Sequence, residues 1–466
     1  MGSARRYHLV GIGGSGMSGL ASVLLADGAA VSGSDLQEGP EVRALRQAGA
    51  RIDLGHTSSH VSRPLDGVIV SSAVSSENIE VREARRRHIP VVSRLHALGE
   101  ILQRYESVGV AGTHGKTTTS AMVATIFRAC GLDPSFLIGA QCPALGGNAH
   151  LGSGDQFVAE IDESDGLFVG IRPAIAAITN IGRDHMHTYR GLEDIMEAFR
   201  RYARGAGRAV MVIDDDNVRT LAAEIPSALT VGTSPDARLR AMRLRHERFA
   251  MRFELVLDGE AIGDVCLPAP GTHNVRNALC AIGIAMMAGL EPAEAARALA
   301  AFRLPHRRFE LLEENGVTVI DDFAHLPEEV EATLSAIRRG WPGRRIVAVF
   351  QPHRYTRTRD MGHEFGSAFK QADVVVVSSI YSAGEPPLPG VSATVVYDSI
   401  RAATQADVRV IPDKSRVLRF LEDSIQPGDF IVSFGAGDIW TVTEELAAFL
   451  MEGRFLEPRE FVHHTV

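Results

Sequence analysis

At 466 residues, 45% hydrophobic and 23% charged, the chain is too long for one ordinary core and leaves room for roughly three domains of about 150 residues each. This composition excludes a disordered or a membrane-embedded chain, and a formal net charge of -9 argues against a nucleic-acid surface as the main business. Cys130, Cys142, Cys266 and Cys280 are far apart and form no C-x-x-C, which excludes a zinc or disulfide framework and fits a reducing cytosol.

The segment "MGSARR" ahead of the first strand-like run leaves no room for a signal peptide, and no apolar run is long enough to span a bilayer. A cytoplasmic protein is therefore expected. The first hundred residues alternate strand and helix patterns: "YHLVGIG", a helix to about Leu25, "AAVSGSD", a helix over Glu41 to Ala48, "GVIVSSAV" and "HIPVVSR". Such alternation predicts a parallel, doubly wound sheet with its ligand at the carboxyl ends of the strands. Gly11, Gly13 and Gly16 fit G-x-G-x-x-G, in which one glycine makes the turn, one admits a phosphate and one lets helix meet strand. Read alone, that pattern suggests a nicotinamide dinucleotide and hydride transfer.

A second cycle begins at "SVGVAGTHGKTTTSAMVATIFRACG" and continues through "QFVAEIDES", "IAAITNIG" and "RAVMVIDDD". From about Arg238 to Leu267 the pattern becomes alternating, which predicts antiparallel strands at the edge of that unit, their arginines on the wet face. After the helix "NALCAIGIAMMAG", a third cycle runs "RRIVAVFQ", "ADVVVVSSI", "VRVIPD" and "DFIVSFGAGDIW". "GEPPLPG", Gly384 to Gly390, reads as an exposed loop, and the tail from Glu452 as a frayed end without a role. The fold class expected is α/β in three domains: a Rossmann-like domain over 1–102, a central P-loop domain over 103–302 and a Rossmann-like domain over 303–466.

Gly112-Thr113-His114-Gly115-Lys116-Thr117-Thr118 follows a strand and opens a helix, where backbone N–H groups and a helix N-terminus cradle phosphates. Lys116 is placed to hold the γ-phosphate and Thr117 to reach Mg²⁺, although Val110 stands where the full motif has its first glycine. Metal ligands should sit at strand ends facing this loop. Glu160 closes "QFVAE", and Asp184 with His185 follows "IAAITNIG" in the same topological position. "GTHNVRNALCAIGIA" puts His273, Asn274 and Asn277 at a helix start, where they either cap the helix or read an adenine edge. "RRFE" and "DDFAH" offer a cation and a carboxylate, and "FQPHRYTRTRD" ends a strand with His353, Arg354, Arg357 and Arg359, a ready anion site.

Taken together, "GIGGSGMSGLA", "SSAV", "GTHGKTTT", "AEIDESD", "TNIGRDHM", "GTHNVRNAL", "RRFE", "FQPHRYTRTRD" and "AGEPPLPG" resemble the Mur ligases over nearly the whole chain. Within that family they look most like the member that adds the first amino acid, L-alanine, to UDP-N-acetylmuramate. The resemblance implies domains for UDP-sugar, ATP and amino acid that close around the reaction, in a monomer or homodimer with no nucleic-acid or membrane partner. It implies ATP and Mg²⁺ as cofactors, with Gly112, Thr113, His114, Gly115, Lys116, Thr117 and Thr118 on the phosphates and Thr117, Glu160 and His185 on Mg²⁺. His273, Asn274 and Asn277 would lie near adenine, and Arg308 with Asp322 would engage ATP from the third domain. Gly11, Gly13, Gly14, Ser15, Gly16, Met17, Asp35, Ser71 and Ser72 would hold the UDP-sugar. Lys116, His325, His353, Arg354 and Arg357 form the expected catalytic set, with His325 and His353 both open as the general base.

Other members carry a carbamylated lysine shortly after the histidine of "DHM"; "MEAFRRY", Met196 to Tyr202, has none, as in the alanine-adding member. The family's "DDYGHHP" reads "DDFAHLP" here, with Phe323, Ala324 and Leu326 as the departures, and His187 stands where aspartate is usual. The first three lie near the expected amino-acid pocket and so bear on which amino acid is added. A ligase of the same family that attaches a preformed tripeptide, an NAD-dependent dehydrogenase and a non-catalytic nucleotide-binding protein are the alternative readings.

Overall fold

The computed structural model describes residues 5–71, 73–184, 188–314 and 316–452, apart from the side chains of Ser15 and Glu314. Ser72, His185, His187 and the tail from residue 453 therefore lie outside the described residues. Among the described residues the strands form three sheets of five, ten and six strands. The chain divides into two compact units, residues Met1–Arg245 with Arg252–Pro268 and His273–Pro305, and residues His246–Met251 with Ala269–Thr272 and His306–Val466.

The first sheet contains β1 (Arg6–Val10), β2 (Ala30–Asp35), β3 (Arg51–Leu54), β4 (Gly67–Val70) and β5 (Val91–Ser93) in the order β3-β2-β1-β4-β5. Its pairings are parallel, as the alternating pattern requires. Because β1 lies between β2 and β4, Gly11, Asp35 and Ser71 all emerge at the same carboxyl edge.

The second sheet runs through β6 (Glu106–Ala111), β7 (Ser135–Leu137), β8 (Ala149–His150), β9 (Gln156–Glu160), β10 (Ile175–Ile178), β11 (Arg208–Val212), β12 (Leu229–Gly232), β13 (Leu239–Glu247), β14 (Ala250–Leu257) and β15 (Glu260–Leu267). Its order is β15-β14-β13-β12-β11-β10-β6-β9-β7-β8. The strand before the phosphate loop, β6, is flanked by β9 and β10 in parallel register, Val110 beside Glu160 and Ala111 beside Ile178. The ends of β9 and β10 thus frame the loop. The alternating segment forms the meander β13-β14-β15 at the sheet edge, and its Asp258-Gly259 turn has φ of 50° and 92°, the all-positive geometry of a tight hairpin.

The third sheet has β16 (Glu310–Glu314), β17 (Thr318–Asp322), β18 (Ile346–Phe350), β19 (Val374–Val377), β20 (Asp407–Val410) and β21 (Phe430–Phe434) in the order β16-β17-β21-β18-β19-β20. Only its edge strand β16 pairs antiparallel among the pairings described. With Asp322 and Phe350 both beside Phe434, the segments after β17, β18 and β21 converge at one end of this sheet.

Candidate active site

At the carboxyl edge of the first sheet a cavity of about 770 Å³ is lined by Gly11, Gly13, Gly14, Asp35, His56 and Ser71, among others. Gly11 has φ +74°, a conformation that costs glycine nothing. Gly13 donates its N–H to Asp35 Oδ2 at 2.8 Å, and a Cβ on Gly13 would sit 2.9 Å from that oxygen. The carboxylate therefore fixes the loop as well as facing the cavity. The helix Ser15–Ala26 starts from Gly14 with no acidic residue in its first turn, so its positive end is offered to an anion uncompensated.

Two of the expected positions also face the interior here. A Cβ on Gly16 would lie 2.9 Å from Arg94 Nη1, and Arg94 donates to Asp162 Oδ2 at 3.3 Å. Met17 is 2% exposed and belongs to the hydrophobic core, because it falls on the inward face of its helix. The other sequence-derived positions at this cavity, Ser72 and the Ser15 side chain, are outside the description.

Beneath the cavity floor lies a buried carboxylate that sequence reading passed over. Glu80 accepts from Ser34 Oγ at 2.6 Å and meets His60 Nδ1 at 2.5 Å, His56 Nδ1 at 3.1 Å and His8 Nε2 at 3.7 Å. Burial acts to raise its pKa, but the adjacent His8 ring and the hydrogen bonds with Ser34 and His60 outweigh burial and hold it down at about 2.

The phosphate loop is clasped by the segment after β10. His114 donates its N–H to Asn180 Oδ1 at 2.8 Å, Thr113 N–H donates to Asn180 O at 3.1 Å, and Thr179 Oγ1 and Asn180 Nδ2 donate to His114 O. Gly112 has φ +138°, and a Cβ would run into Thr179 Oγ1 and lie 2.9 Å from Asn180 O. Gly115, the N-cap of the helix Lys116–Ala129, has φ +81° and abuts Asn277 Oδ1. Val110 in place of the motif's first glycine is accommodated as an ordinary buried residue of β6.

Lys116 Nζ donates to Gly112 O at 2.6 Å, Thr113 O at 3.2 Å and Glu163 Oε1 at 3.0 Å. Burial acts to lower the pKa of this ammonium, yet Glu163, Asp162 and Glu160 together hold it above the usual range. Burial in turn pushes the Glu163 carboxyl up, against the pull of Lys116. The acidic segment expected to supply Glu160 thus supplies a lysine partner as well, Glu163, which the sequence reading did not single out. Glu160 itself accepts from Gly139 N–H at 2.7 Å. Thr117 and Thr118 are buried in the first turn of the helix. Asn274 accepts from Asn277 Nδ2 at 3.2 Å, and His273 precedes them on the same helix start.

Among the described residues no group of three or more His, Cys, Asp or Glu side chains forms a metal cage. Mg²⁺ seldom uses one, since one or two carboxylates, waters and the phosphates of its substrate complete its shell. The oxygen donors of Thr117 and Glu160 fit that preference; His185 is outside the description.

In the second unit, Asp322 ends β17 fully enclosed, accepting from Ala324 N–H at 2.8 Å, Phe309 N–H at 3.1 Å and Thr333 Oγ1 at 3.2 Å. Burial lifts its carboxyl to about 6 against the nearby Arg308 charge. The Arg308 guanidinium lies 4.9 Å from the Phe323 ring centroid, so this phenylalanine keeps a cation face that needs no hydroxyl. Ala324 and Leu326 are 1% and 2% exposed. The side chains of these two departures are therefore packed in the interior.

His353 and His325 stand with ring centroids 5.7 Å apart, and His353 stacks on Tyr381. Arg357 Nη1 is 3.0 Å from His353 Nδ1. Arg354 has φ +70°, a strained value for a residue with a side chain, and its buried Nε has no hydrogen-bond partner among the described residues. The Pro- and Gly-rich loop is exposed as expected, yet Glu385 in it accepts from Thr356 N–H at 3.0 Å and Thr356 Oγ1 at 2.7 Å, tying the loop to this cation segment.

A Rossmann-like sheet with a glycine-lined cavity at its carboxyl edge, a lysine-bearing glycine loop and a cation-rich third sheet define a nucleotide-using α/β enzyme. Models for the Mur ligase family, catalytic domain, the Mur ligase middle domain and the Mur ligase, glutamate ligase domain match residues 6–106, 110–285 and 307–437, and the chain belongs to the Mur ligase family, whose members form amide bonds with ATP. It is 41% identical over 455 residues to a protein of Pelobacter propionicus and 44% identical over 456 residues to one of Sorangium cellulosum, both named UDP-N-acetylmuramate--L-alanine ligase. These matches cover 96% of this chain and 99% and 97% of theirs. Among solved structures, the UDP-N-acetylmuramate-alanine ligase MurC of Thermotoga maritima superposes with a TM-score of 0.83 at 29% identity, covering 96% of this chain and 99% of that one. A murein peptide ligase of Psychrobacter arcticus gives 0.69 at 25% identity, covering 96% and 99%.

Proposed function

We propose that this enzyme joins L-alanine to the lactyl carboxylate of UDP-N-acetylmuramate, converting ATP to ADP and phosphate, in the assembly of the peptidoglycan precursor in the cytoplasm. The observation that carries the reading is the 41–44% identity, along 96% of the chain, to relatives named for that reaction. The higher superposition on the alanine ligase than on the murein peptide ligase supports alanine over a preformed peptide.

In this reading the UDP diphosphate takes the amides of Gly11, Gly13 and Gly14 and the helix N-terminus behind them, with Asp35 and Ser71 beside the nucleoside. Gly16 and Met17 belong to the same helix start, Met17 with its side chain in the core. The sugar's lactyl carboxylate is a poor electrophile, so its oxygen first attacks the γ-phosphorus of ATP, the bond to the β-γ bridging oxygen breaks, and ADP leaves. Gly112 to Thr118 cradle the phosphates, and Lys116 neutralises the charge that gathers on the transferring group. Thr117 and Glu160, with His185 as the third expected ligand, would hold Mg²⁺, which when bound supplies further charge neutralisation on the phosphoryl oxygens. Asn274 and Asn277 with His273 would take the adenine end, and Arg308 and Asp322 would engage ATP from the C-terminal domain.

The amine of L-alanine then attacks the acyl phosphate, the C–N bond forms and phosphate departs with the electron pair of the C–O bond. Arg354 and Arg357 suit the carboxylate of the amino acid; the strained backbone of Arg354 and its unpartnered Nε support this role. Phosphate release with ATP, UDP-N-acetylmuramate and a panel of L-alanine, glycine, L-serine and an L-alanine-containing tripeptide tests the reading. L-Alanine should be the preferred amine, and no release with any of them refutes the ligase assignment.

A further inference from the structure

We propose that His325 is the base that takes the proton from the amino acid's ammonium group, with Glu329 as the residue that positions it; the assignment rests on the ligase reading above. Two histidines stand side by side, and their hydrogen bonds give them opposite tautomers.

His325 lies between the end of β17 and the helix Pro327–Gly340. Glu329, at the third position of that helix, turns back so that its Oε2 accepts from His325 N–H at 3.0 Å and Leu326 N–H at 3.2 Å. The same oxygen is 3.3 Å from His325 Nδ1, and Phe323 O is 3.1 Å from that nitrogen. A carbonyl and a carboxylate can only accept, so Nδ1 carries the hydrogen and Nε2 carries the lone pair in the neutral ring. Around His353 the logic reverses. Arg357 Nη1 lies 3.0 Å from its Nδ1, and a guanidinium can only donate. Nδ1 of His353 is therefore the acceptor, its neutral ring bears the hydrogen on Nε2, and the cation beside it opposes the uptake of another.

A carboxylate behind one nitrogen of an imidazole favours the imidazolium that forms when the other nitrogen gains a proton. The charged groups around the His325 ring are Glu329 on the helix that follows it, His353 across from it with Arg357 beyond, and Arg308 and Arg307 at the Phe323 ring. The step balances simply. The ammonium N–H bond breaks, its proton passes to His325 Nε2, and the freed electron pair on nitrogen attacks the acyl-phosphate carbon. As the C–O bond breaks and the amide forms, nitrogen gives up its second proton to the departing phosphate.

The test uses the full chain with UDP-N-acetylmuramate and ATP, and compares L-alanine with hydroxylamine, a nucleophile already neutral at neutral pH. His325→Gln should lower ligation of L-alanine by about a hundredfold or more. It should still form the hydroxamate at a rate near that of the unaltered chain, because no ammonium needs deprotonating. Loss of both products from a variant that melts normally, or retention of both, overturns the role of His325; His325→Asn replaces it if the glutamine variant does not melt cooperatively. Glu329→Gln keeps an acceptor for the two helix-cap N–H groups but removes the charge. It should leave the melting temperature in place and shift the acid limb of kcat/KM for L-alanine to lower pH. An unshifted profile limits Glu329 to capping and overturns that half. If the unaltered chain makes neither amide nor hydroxamate, the ligase reading itself has failed.

Discussion

Lys116 shows how much one side chain concentrates in this site. Its ammonium is fixed by two carbonyls of its own loop and by Glu163, in a carboxylate-rich surround that keeps it charged despite burial. In the proposed reaction the charge would be in place before the phosphates bind, the arrangement that lowers a transition state most. Lys116→Ala should lower substrate-dependent phosphate release by about a thousandfold or more while UDP binding, measured by calorimetry, stays unchanged. Arg354 makes a second residue-scale case. A lysine there keeps the charge but loses the guanidinium fork, so Arg354→Lys should raise KM for L-alanine about tenfold with a smaller change in kcat, read from steady-state kinetics. Both residues were legible in the sequence, because a lysine after a glycine turn and a run of arginines after a strand carry their chemistry in their identity. Glu163 and Glu329 were not. A carboxylate's role depends on which cation or ring it meets, and that meeting is made by the fold.

At the scale of elements, two local devices decide whether the sites are built. The phosphate loop depends on Gly112 passing beneath Thr179 and Asn180, so Gly112→Ala should cost about 2 kcal/mol or more of stability and remove phosphate release, measured by chemical denaturation and assay. The sequence showed the loop and both flanking strands; the clasp by Thr179 and Asn180 was hidden, because a short "TN" after a strand has no periodicity to betray it. In the first sheet the buried Glu80 cluster links β1, β2, the segment after β3 and the helix Ile79–Arg86. A carboxyl held at about 2 when folded, against about 4.3 when unfolded, stabilises above the unfolded value and loses that contribution as pH falls through it towards 2. The amount is roughly 3 kcal/mol. Thermal midpoints should therefore drop between about pH 5 and pH 2 in the native chain, and Glu80→Gln should be less stable at neutral pH with a flatter acid-side decline. Isolated histidines and a glutamate scattered from residue 8 to residue 80 gave no hint of this cluster, since nothing in their spacing joins them.

For the molecule as a whole, the three sheets follow from the alternating patterns read along the chain, and strand β16 is the one antiparallel partner described in the third sheet. Patterning carries this much because parallel sheets buried on both faces write themselves as apolar runs between helices. The glycine fingerprint of the first sheet was legible too, but its ligand was not: strand, glycine turn and helix accept any diphosphate. It took the second loop at Gly112 to Thr118 together with a ligase-like third domain to move the reading from a dinucleotide to a UDP-sugar and ATP. The cavity at the first sheet and the phosphate loop on the second use different residues, so each ligand should stabilise independently by its own binding linkage. UDP and ATP should each raise the melting temperature, the two together more than either, and Lys116→Ala should cancel only the ATP increment.

The measurement closest to the central claim is the identity of the product formed by the full chain from UDP-N-acetylmuramate, ATP and an equimolar mixture of L-alanine, glycine, L-serine and the L-alanine-containing tripeptide, resolved by mass spectrometry with phosphate counted in parallel. The account predicts UDP-N-acetylmuramoyl-L-alanine as the dominant product, with one phosphate released per amide formed. A product carrying the tripeptide, or phosphate release without any amide, would contradict it.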